Sequence, residues 1–417
     1  MKNAVHGGPR PTDTAALAEE VGRAVASAAI PDGPIAFIAQ GAQALGAAAW
    51  LRQSGIEGLI VGPERWTDVV RAAAAERGFS ALDLATGQSW PAPTPGTVAH
   101  GRVWLLTSGT TGAPKWVAHT WDSLVTVGTG ATHDLPPRHW LLAYQPGTYA
   151  WYQVAQLPLF FPHQSVTVPT EPDPASQVRA AATTGVDAVS STPTFWRVAL
   201  LTAGEPAVAG LRLRQVTLGG ERVDQPILDT LRRLFPKARV THIYAATEVG
   251  AAIVVHDGRE GFPAAWLERD AKPGEPPRPL LRVQDGRLWV RSPKAGEGLQ
   301  GWTDTGDSVE VRGDRVVVIG RAGGGLAKVG GATVDLRQVE AAILQDPEVL
   351  WCRVRARNAP VVGALLAAEV VGKPGVALDA DALRSRVAAR IADYMVPRFW
   401  QVRTEIPATG NFKTELA

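Results

Sequence analysis

The sequence predicts an α/β protein: a large amino-terminal domain of α/β sheets with a small β-rich subdomain over residues 1–320, then a small α+β domain over 321–417. Three observations lead there. The 417 residues exceed what one hydrophobic core usually organises. Short apolar runs alternate with amphipathic stretches from Gly33 to Leu201, the texture of strand then helix in a layered sheet. After Tyr244 the texture changes to short alternating strands joined by Gly-, Pro- and Asp-bearing turns.

The runs Pro34–Gln40, Gly58–Val61, Val103–Thr107, Trp140–Tyr144, Ser165–Val168, Val186–Ser190 and Gln215–Leu218 read as strands. Ala42–Arg52, Trp66–Glu76, Ser176–Thr183, Pro193–Leu201 and Ile227–Phe235 read as the helices between them. Arg278–Val283, Arg287–Arg291, Ser308–Val311 and Arg315–Ile319 make the β-rich subdomain. The Gly-dense stretch Gly320–Gly331 is expected to break regular structure. Beyond it come helix Leu336–Gln345, strands Val349–Arg357 and Val361–Val371, helix Asp379–Ala392 and strand Trp400–Thr404, enough for a separate small domain.

Lys plus Arg at 42 against Asp plus Glu at 40 leaves a formal charge of +2, with no long run of either sign, which argues against a nucleic-acid partner. The single Cys352 excludes an internal disulfide and multi-cysteine metal sites, and the eight His show no metal-ligand spacing. Met1 to Thr14 lacks the layout of a signal peptide, and no apolar run is long enough for a membrane span. A cytoplasmic location is the expectation.

Four segments carry chemistry. Strand Val103–Thr107 runs into Ser108-Gly109-Thr110-Thr111-Gly112-Ala113-Pro114-Lys115, where two glycines let amide groups converge on an anion and hydroxyls and an ammonium add donors. That suits a triphosphate, although the spacing is not that of a Walker loop. Strand Arg239–Ile243 ends in Tyr244-Ala245-Ala246-Thr247-Glu248, whose hydroxyl and carboxylate suit a Mg²⁺ shell completed by phosphate oxygens. Gly219-Gly220 would let a flat adenine lie against the backbone, and Asp307, in Thr305-Gly306-Asp307, could accept both hydroxyls of a ribose.

Taken in order, these segments resemble the adenylate-forming superfamily of acyl-CoA synthetases, peptide-synthetase adenylation domains and firefly luciferase. Thr107 to Lys115 matches the phosphate loop, with His119 where the family usually carries a His; Tyr244 to Glu248 matches the magnesium motif and Thr305 to Asp307 the ribose motif. The hinge motif starts at Gly320-Arg321 and continues through Lys328 and Gly331 to Glu340. Tyr394-Met395-Val396-Pro397-Arg398 precedes the closing Pro407 to Lys413, in which Lys413 falls where the family keeps its catalytic lysine.

The resemblance implies a two-step reaction in which a carboxylate attacks the α-phosphate of ATP to give acyl-AMP and pyrophosphate, and a thiol then displaces AMP. It implies ATP (or supplied acyl-AMP), Mg²⁺ held by Glu248, and CoA. It also implies catalytic roles for Lys413, Thr247, Glu248 and Lys328, and nucleotide contacts from Arg321 as well as from the loops above. The carboxyl-terminal domain is implied to be a mobile lid that rotates between steps. The expected substrate is a bulky, aryl or cyclic acid, with Tyr149, Trp151 and Trp196 in the pocket wall. A carrier protein is the alternative acceptor. Departures from the family pattern are Ala322-Gly323-Gly324-Gly325 where two Asp are usual, Phe412 before Lys413, and a shorter stretch before the phosphate loop. They keep three rivals open: a ligase of preformed acyl-AMP, a stand-alone adenylase, and a non-catalytic adenylate-binding protein.

Overall fold

A computed structural model describes residues 4–7, 11–107, 114–125, 135–161, 163–267, 269, 277–321, 325–329, 331–359 and 363–408. Four sheets organise them. The first has six strands, with Ile35–Ile38, Gly58–Val61, Ser80–Asp83 and Arg102–Thr107 mutually parallel, and Ser89–Trp90 and Lys115–Thr120 antiparallel at its two edges. Ile35–Ile38 and Gly58–Val61 are buried along their whole length, as expected of parallel strands covered on both faces. Helices Thr14–Ser27 and Gly41–Ser54 pack against each other, and Ala44, Leu45, Ala47, Ala48 and Leu51 give the second helix its inward face.

The second sheet has eight strands. Arg138–Leu142, Gln164–Thr167, Ala188–Ser191, Gln215–Leu218 and Arg239–Ala246 run parallel, and Gly250–Val255 returns antiparallel to close one side. Two features at the other side lie outside the elements expected from the sequence: strand Ala4–His6, which pairs with Gln164–Thr167, and helix Thr14–Ser27, whose amino end is capped by Asp13 accepting from the Ala16 amide at 2.8 Å. Strand Lys115–Thr120 and helix Tyr149–Ala155 likewise lie outside the expected elements. The latter is rich in aromatic residues that by propensity favour strands, yet Thr148 caps it by accepting from the Trp151 amide.

The third sheet is antiparallel and five-stranded, built from Phe262–Pro263, Leu280–Gln284, Arg287–Arg291, Thr303–Arg312 and Arg315–Arg321. The Gly-dense stretch is more regular than its composition suggests. Arg315–Arg321 continues into it, and Leu326–Val329 pairs with Ala332–Asp335 as a hairpin. Hairpin pairing satisfies backbone groups that glycine alone would leave to solvent. Gly320 has φ +123°, so the backbone at this position favours glycine, while the neighbour a Cβ would meet, the Arg337 guanidinium, is the end of a flexible side chain.

The fourth sheet combines that hairpin with Val349–Ala359, Gly363–Gly372 and Phe399–Arg403. Helices Leu336–Leu344 and Ala380–Ala388 share its core through Val339, Ile343, Leu383 and Val387. Side chains on its other parity, Trp351 and Val371, join Leu350 and Ile406 in one apolar cluster with Phe195, Trp196 and Leu228 of the eight-stranded region. Arg197 sits in that seam, donating from Nε to the Leu350 carbonyl at 3.1 Å while pairing with Asp224 at 2.6 Å. Among the described residues, no helix is long and apolar enough to cross a membrane.

Candidate active site

The parallel strands Ala188–Ser191, Gln215–Leu218 and Arg239–Ala246 all point their carboxyl ends toward one edge, and Gly219-Gly220 and the Thr247–Glu248 turn leave from there. In open α/β sheets this is the edge where ligands gather. Thr107 and Lys115 face each other in register at the ends of two antiparallel strands, so residues 108–114 form the connection between them. Ser108, Gly109, Thr110, Thr111 and Gly112 lie outside the described residues, as does Lys413.

Lys115 reaches across to the second motif, with Nζ 3.1 Å from Glu248 Oε1. The turn that carries Thr247 and Glu248 is held from three sides. His119 Nε2 lies 2.7 Å from the Thr247 carbonyl, the Gly296 amide donates to the Glu248 carbonyl at 3.0 Å, and the Val249 amide donates back to Ala246 at 3.2 Å. Because a carbonyl only accepts, His119 carries its proton on Nε2, which leaves Nδ1 to accept from Ser123 Oγ at 2.8 Å. The Glu297 amide donates to Ala118 at 2.8 Å, so the 296–297 segment clamps both the histidine strand and the acidic turn. A Cβ on Gly296 would lie 2.7 Å from Val117 Cγ1, which explains glycine there.

Sequence reasoning assigns no role to Gly296 and names His119 only by family position. The clamp joins residues far apart in the chain through backbone groups, so composition gives no sign of it.

His119 is fully buried, and burial lowers its pKa. Burial does the same for His242 and pushes His139 down to about 4, the neighbouring His6 adding to the effect. The unfolded chain therefore takes up these protons near pH 6.5 while the folded chain resists them. Stability should be complete above about pH 6.5 and fall as pH drops toward 4, each displaced proton contributing at most about 1.4 kcal/mol per pH unit. Melting followed by circular dichroism should give a lower Tm at pH 5 than at pH 7. A higher Tm at the acid end would contradict this origin.

Asp307 lies where the third sheet meets the strand Arg239–Ala246. Its Oδ2 accepts from the Tyr244 hydroxyl at 2.6 Å, and its Oδ1 is 3.5 Å from Arg321 Nε. Burial and the facing carboxylate push the Tyr244 phenol well above its ordinary range, so it stays a donor. Arg321 also donates to the Thr305 carbonyl at 2.6 Å. The carboxylate is thus fixed by one phenol and one guanidinium, and its side chain is only 14 % exposed.

Asp307→Ala should weaken ATP and acyl-AMP binding alike by about 1.5–3 kcal/mol, the usual worth of charge-assisted hydrogen bonds to two ribose hydroxyls. Titration calorimetry with both ligands checks it. Unchanged acyl-AMP affinity would remove Asp307 from the ribose contact.

Gly219 follows the strand Gln215–Leu218, and its amide donates to the Ser191 carbonyl at 3.1 Å. Gly220 is exposed beside it. Tyr149 is buried with its hydroxyl accepting from the Ala251 amide at 2.9 Å and its ring 5.8 Å from that of His119, so it touches the machinery of the acidic turn. Trp151 and Trp196 lie elsewhere. They are 1 % and 0 % exposed, with Trp196 packed against Phe195 and Phe235. Neither presents surface to a pocket, because the helices that carry them turn those positions toward the core. Trp196, Ala199, Leu200 and Ala203 recur at helical spacing, a signal visible in the sequence. Lys328 projects from the exposed face of its hairpin and donates to Thr333 Oγ1 at 2.5 Å.

Among the described residues no group of three or more His, Cys, Asp or Glu could hold a metal ion alone. The donor set nonetheless fits Mg²⁺ entering with a nucleotide, since that ion commonly takes one or two carboxylates and completes its shell with phosphate oxygens and water. Glu248 is a partly exposed carboxylate at this turn, with Lys115 beside it.

Residues 46–298 match the family model for "AMP-binding enzyme", and residues 338–413 that for "AMP-binding enzyme C-terminal domain". The chain is 25 % identical to p-hydroxybenzoic acid–AMP ligase FadD22 of Mycobacterium tuberculosis, over 74 % of this chain and 46 % of that protein. It is 26 % identical to feruloyl-CoA synthase of an Amycolatopsis species, over 87 % of this chain and 78 % of that protein. The chain spans between about a tenth and about half of the length of the first curated relatives it matches. Among solved structures, E. coli MenE with bound OSB-AMS superposes with a TM-score of 0.73 at 20 % identity, covering 96 % of this chain and 92 % of that one, a likeness of fold.

Proposed function

The chain belongs to the AMP-binding enzyme family, and we propose that it is an acid–thiol ligase of the acyl-CoA synthetase type, which activates a bulky, aryl or cyclic carboxylic acid as acyl-AMP and passes the acyl group to CoA. The observation that carries this reading is the meeting of Lys115 and Glu248 at the carboxyl edge of the sheet, with Asp307 fixed nearby by Tyr244 and Arg321. A cation beside the phosphate loop, a carboxylate for a phosphate-bound metal and a ribose-binding carboxylate are what adenylate formation needs. The aryl preference is supported by relatives named for p-hydroxybenzoic and feruloyl substrates, and by Tyr149 lying against the same turn.

Within this reading residues 1–320 bind the adenylate and residues 321–417 act as the lid. Thr107, Ser108, Gly109, Thr110, Thr111, Gly112 and Lys115 hold phosphates, Gly219 and Gly220 flank the base, and Thr247 and Glu248 serve the metal. Bound Mg²⁺ would supply positive charge against the phosphate oxygens. Lys413 acts at the α-phosphate, and Lys328 acts in the thiol step after the lid turns. Incubating the protein with ATP, Mg²⁺, CoA and a panel of aryl acids, while following pyrophosphate, AMP and thioester separately, tests the proposal. Acid-dependent formation of all three supports it.

A half-reaction enzyme is the second reading. It is favoured by the absence of carboxylates from Ala322-Gly323-Gly324-Gly325 and by a relative named an acid–AMP ligase. Pyrophosphate without thioester would select a stand-alone adenylase, to which a carrier protein is the natural acceptor. Thioester only from supplied acyl-AMP would select a ligase of preformed adenylates.

A further inference from the structure

The edge of the eight-stranded sheet opposite the candidate active site is lined with arginine. Arg138 and Arg239 begin their strands, Arg214 directly precedes its strand, and Arg212 lies just before it. Arg232 and Arg233 end helix Gln225–Leu234 beside Arg239. The backbone brings these residues together: the Arg239 amide donates to the Arg214 carbonyl at 2.9 Å, and the Arg214 amide to the Asp187 carbonyl at 2.7 Å.

Two depressions of about 520 and 550 Å³ flank this line. One is lined in part by Arg138, Arg212 and Arg214, the other by Arg232, Arg233 and Arg239. Only part of this charge is matched. Arg138 lies 3.8 Å from Asp187 and Arg233 pairs with Glu205 at 2.7 Å, whereas Arg212, Arg214 and Arg239 are exposed and have no carboxylate partner among the described residues. A chain of net charge +2 therefore concentrates unpaired guanidinium groups on one edge, far from any phosphate chemistry the site requires.

We propose that this edge docks an extended acidic segment of a partner protein. Strands lie about 4.8 Å apart, so the four strand starts span about 15 Å, a length that about five extended residues cover at about 3.3 Å each. Carboxylates on such a segment meet planar, bidentate donors at Arg239, Arg214 and Arg138, while the start of strand Ala188–Ser191 between the last two carries Asp187. Single-stranded nucleic acid fits less well. It gains much of its binding from stacking on exposed rings, and none of the exposed large hydrophobic side chains among the described residues lies on this edge. Because the carboxyl ends of the strands lie at the other edge, a partner held here leaves the active site open.

The test uses the whole protein and a fluorescent oligo-glutamate peptide, with fluorescence anisotropy at low and physiological salt. The triple variant Arg212→Glu, Arg214→Glu, Arg239→Glu is compared with a control of equal charge change elsewhere, Arg23→Glu, Arg71→Glu, Arg384→Glu. The edge variant should bind at least about tenfold more weakly, a difference of about 1.4 kcal/mol, and the control should bind like the parent. Replacing the same edge arginines by Gln gives an intermediate loss and guards against misfolding by charge reversal. Equal loss in edge and control variants would reduce the effect to net charge and overturn the proposal. Tighter binding of oligothymidylate than of the peptide, lost in the edge variant, would replace an acidic protein with nucleic acid.

Discussion

Glu248→Gln should lower acyl-AMP formation on the order of 10²-fold, the size of losing one preorganised electrostatic partner of a developing charge. The amide is nearly isosteric, and the turn is held through the Thr247 and Glu248 carbonyls by His119 and Gly296, so the backbone geometry should survive. What changes is the ligand offered to a phosphate-bound metal, since a neutral amide is a poorer Mg²⁺ donor than a carboxylate. The loss of its pairing with Lys115 should cost little stability, about 0.2–1 kcal/mol, because Lys115 is more than half exposed. Transfer from synthetic acyl-AMP to CoA needs no triphosphate and should change by no more than a few-fold. Measuring pyrophosphate release and thioester formation in separate assays checks the split. Equal loss in both would make Glu248 a structural residue of the turn.

The difference between that turn and its supports also marks what a sequence can reveal. Thr107 to Lys115, Tyr244 to Glu248 and Thr305 to Asp307 are each a few consecutive residues, so their chemistry is readable without knowing the fold. Their supports are not. His119 reaches a carbonyl 128 positions away, and Gly296 offers a backbone amide that any residue would carry. The same contrast holds for the elements. Gly58–Val61 and Gln215–Leu218 match their structural bounds because a continuous apolar run and a strict polar–apolar alternation between turns each have few alternatives. Leu326–Val329 is hidden because its flanking glycines suggest irregularity, while its pairing with Ala332–Asp335 is decided across the turn. The tryptophans turn on side-chain direction. Trp151 and Trp196 have the size expected of a pocket wall, but side-chain type says nothing about direction, and the spacing of Trp196, Ala199, Leu200 and Ala203 does.

Arg197→Ala should destabilise the protein by about 3–5 kcal/mol, the cost of leaving one partner of a buried ion pair without its counter-charge. The Arg197 side chain is 9 % exposed and that of Asp224 14 %, so water has little access to the carboxylate left behind. The Leu350 carbonyl loses its donor at the same time, and it lies on the strand that enters the apolar seam through Trp351 and Val371. The effect should therefore reach beyond helix Pro193–Thr202 to the docking of the fourth sheet. Replacing both partners by apolar residues, Arg197→Met with Asp224→Leu, removes the orphaned charge and should recover most of the lost stability, although the Asp224 cap on the Ile227 amide is lost too. Urea unfolding of the parent, the two single variants and the double variant closes the cycle. Additive losses in the double variant would mean that the pair is not coupled and that the apolar cluster alone holds the two regions together. A large coupling would identify Arg197 as the polar anchor of the seam, which must release if the lid is to turn.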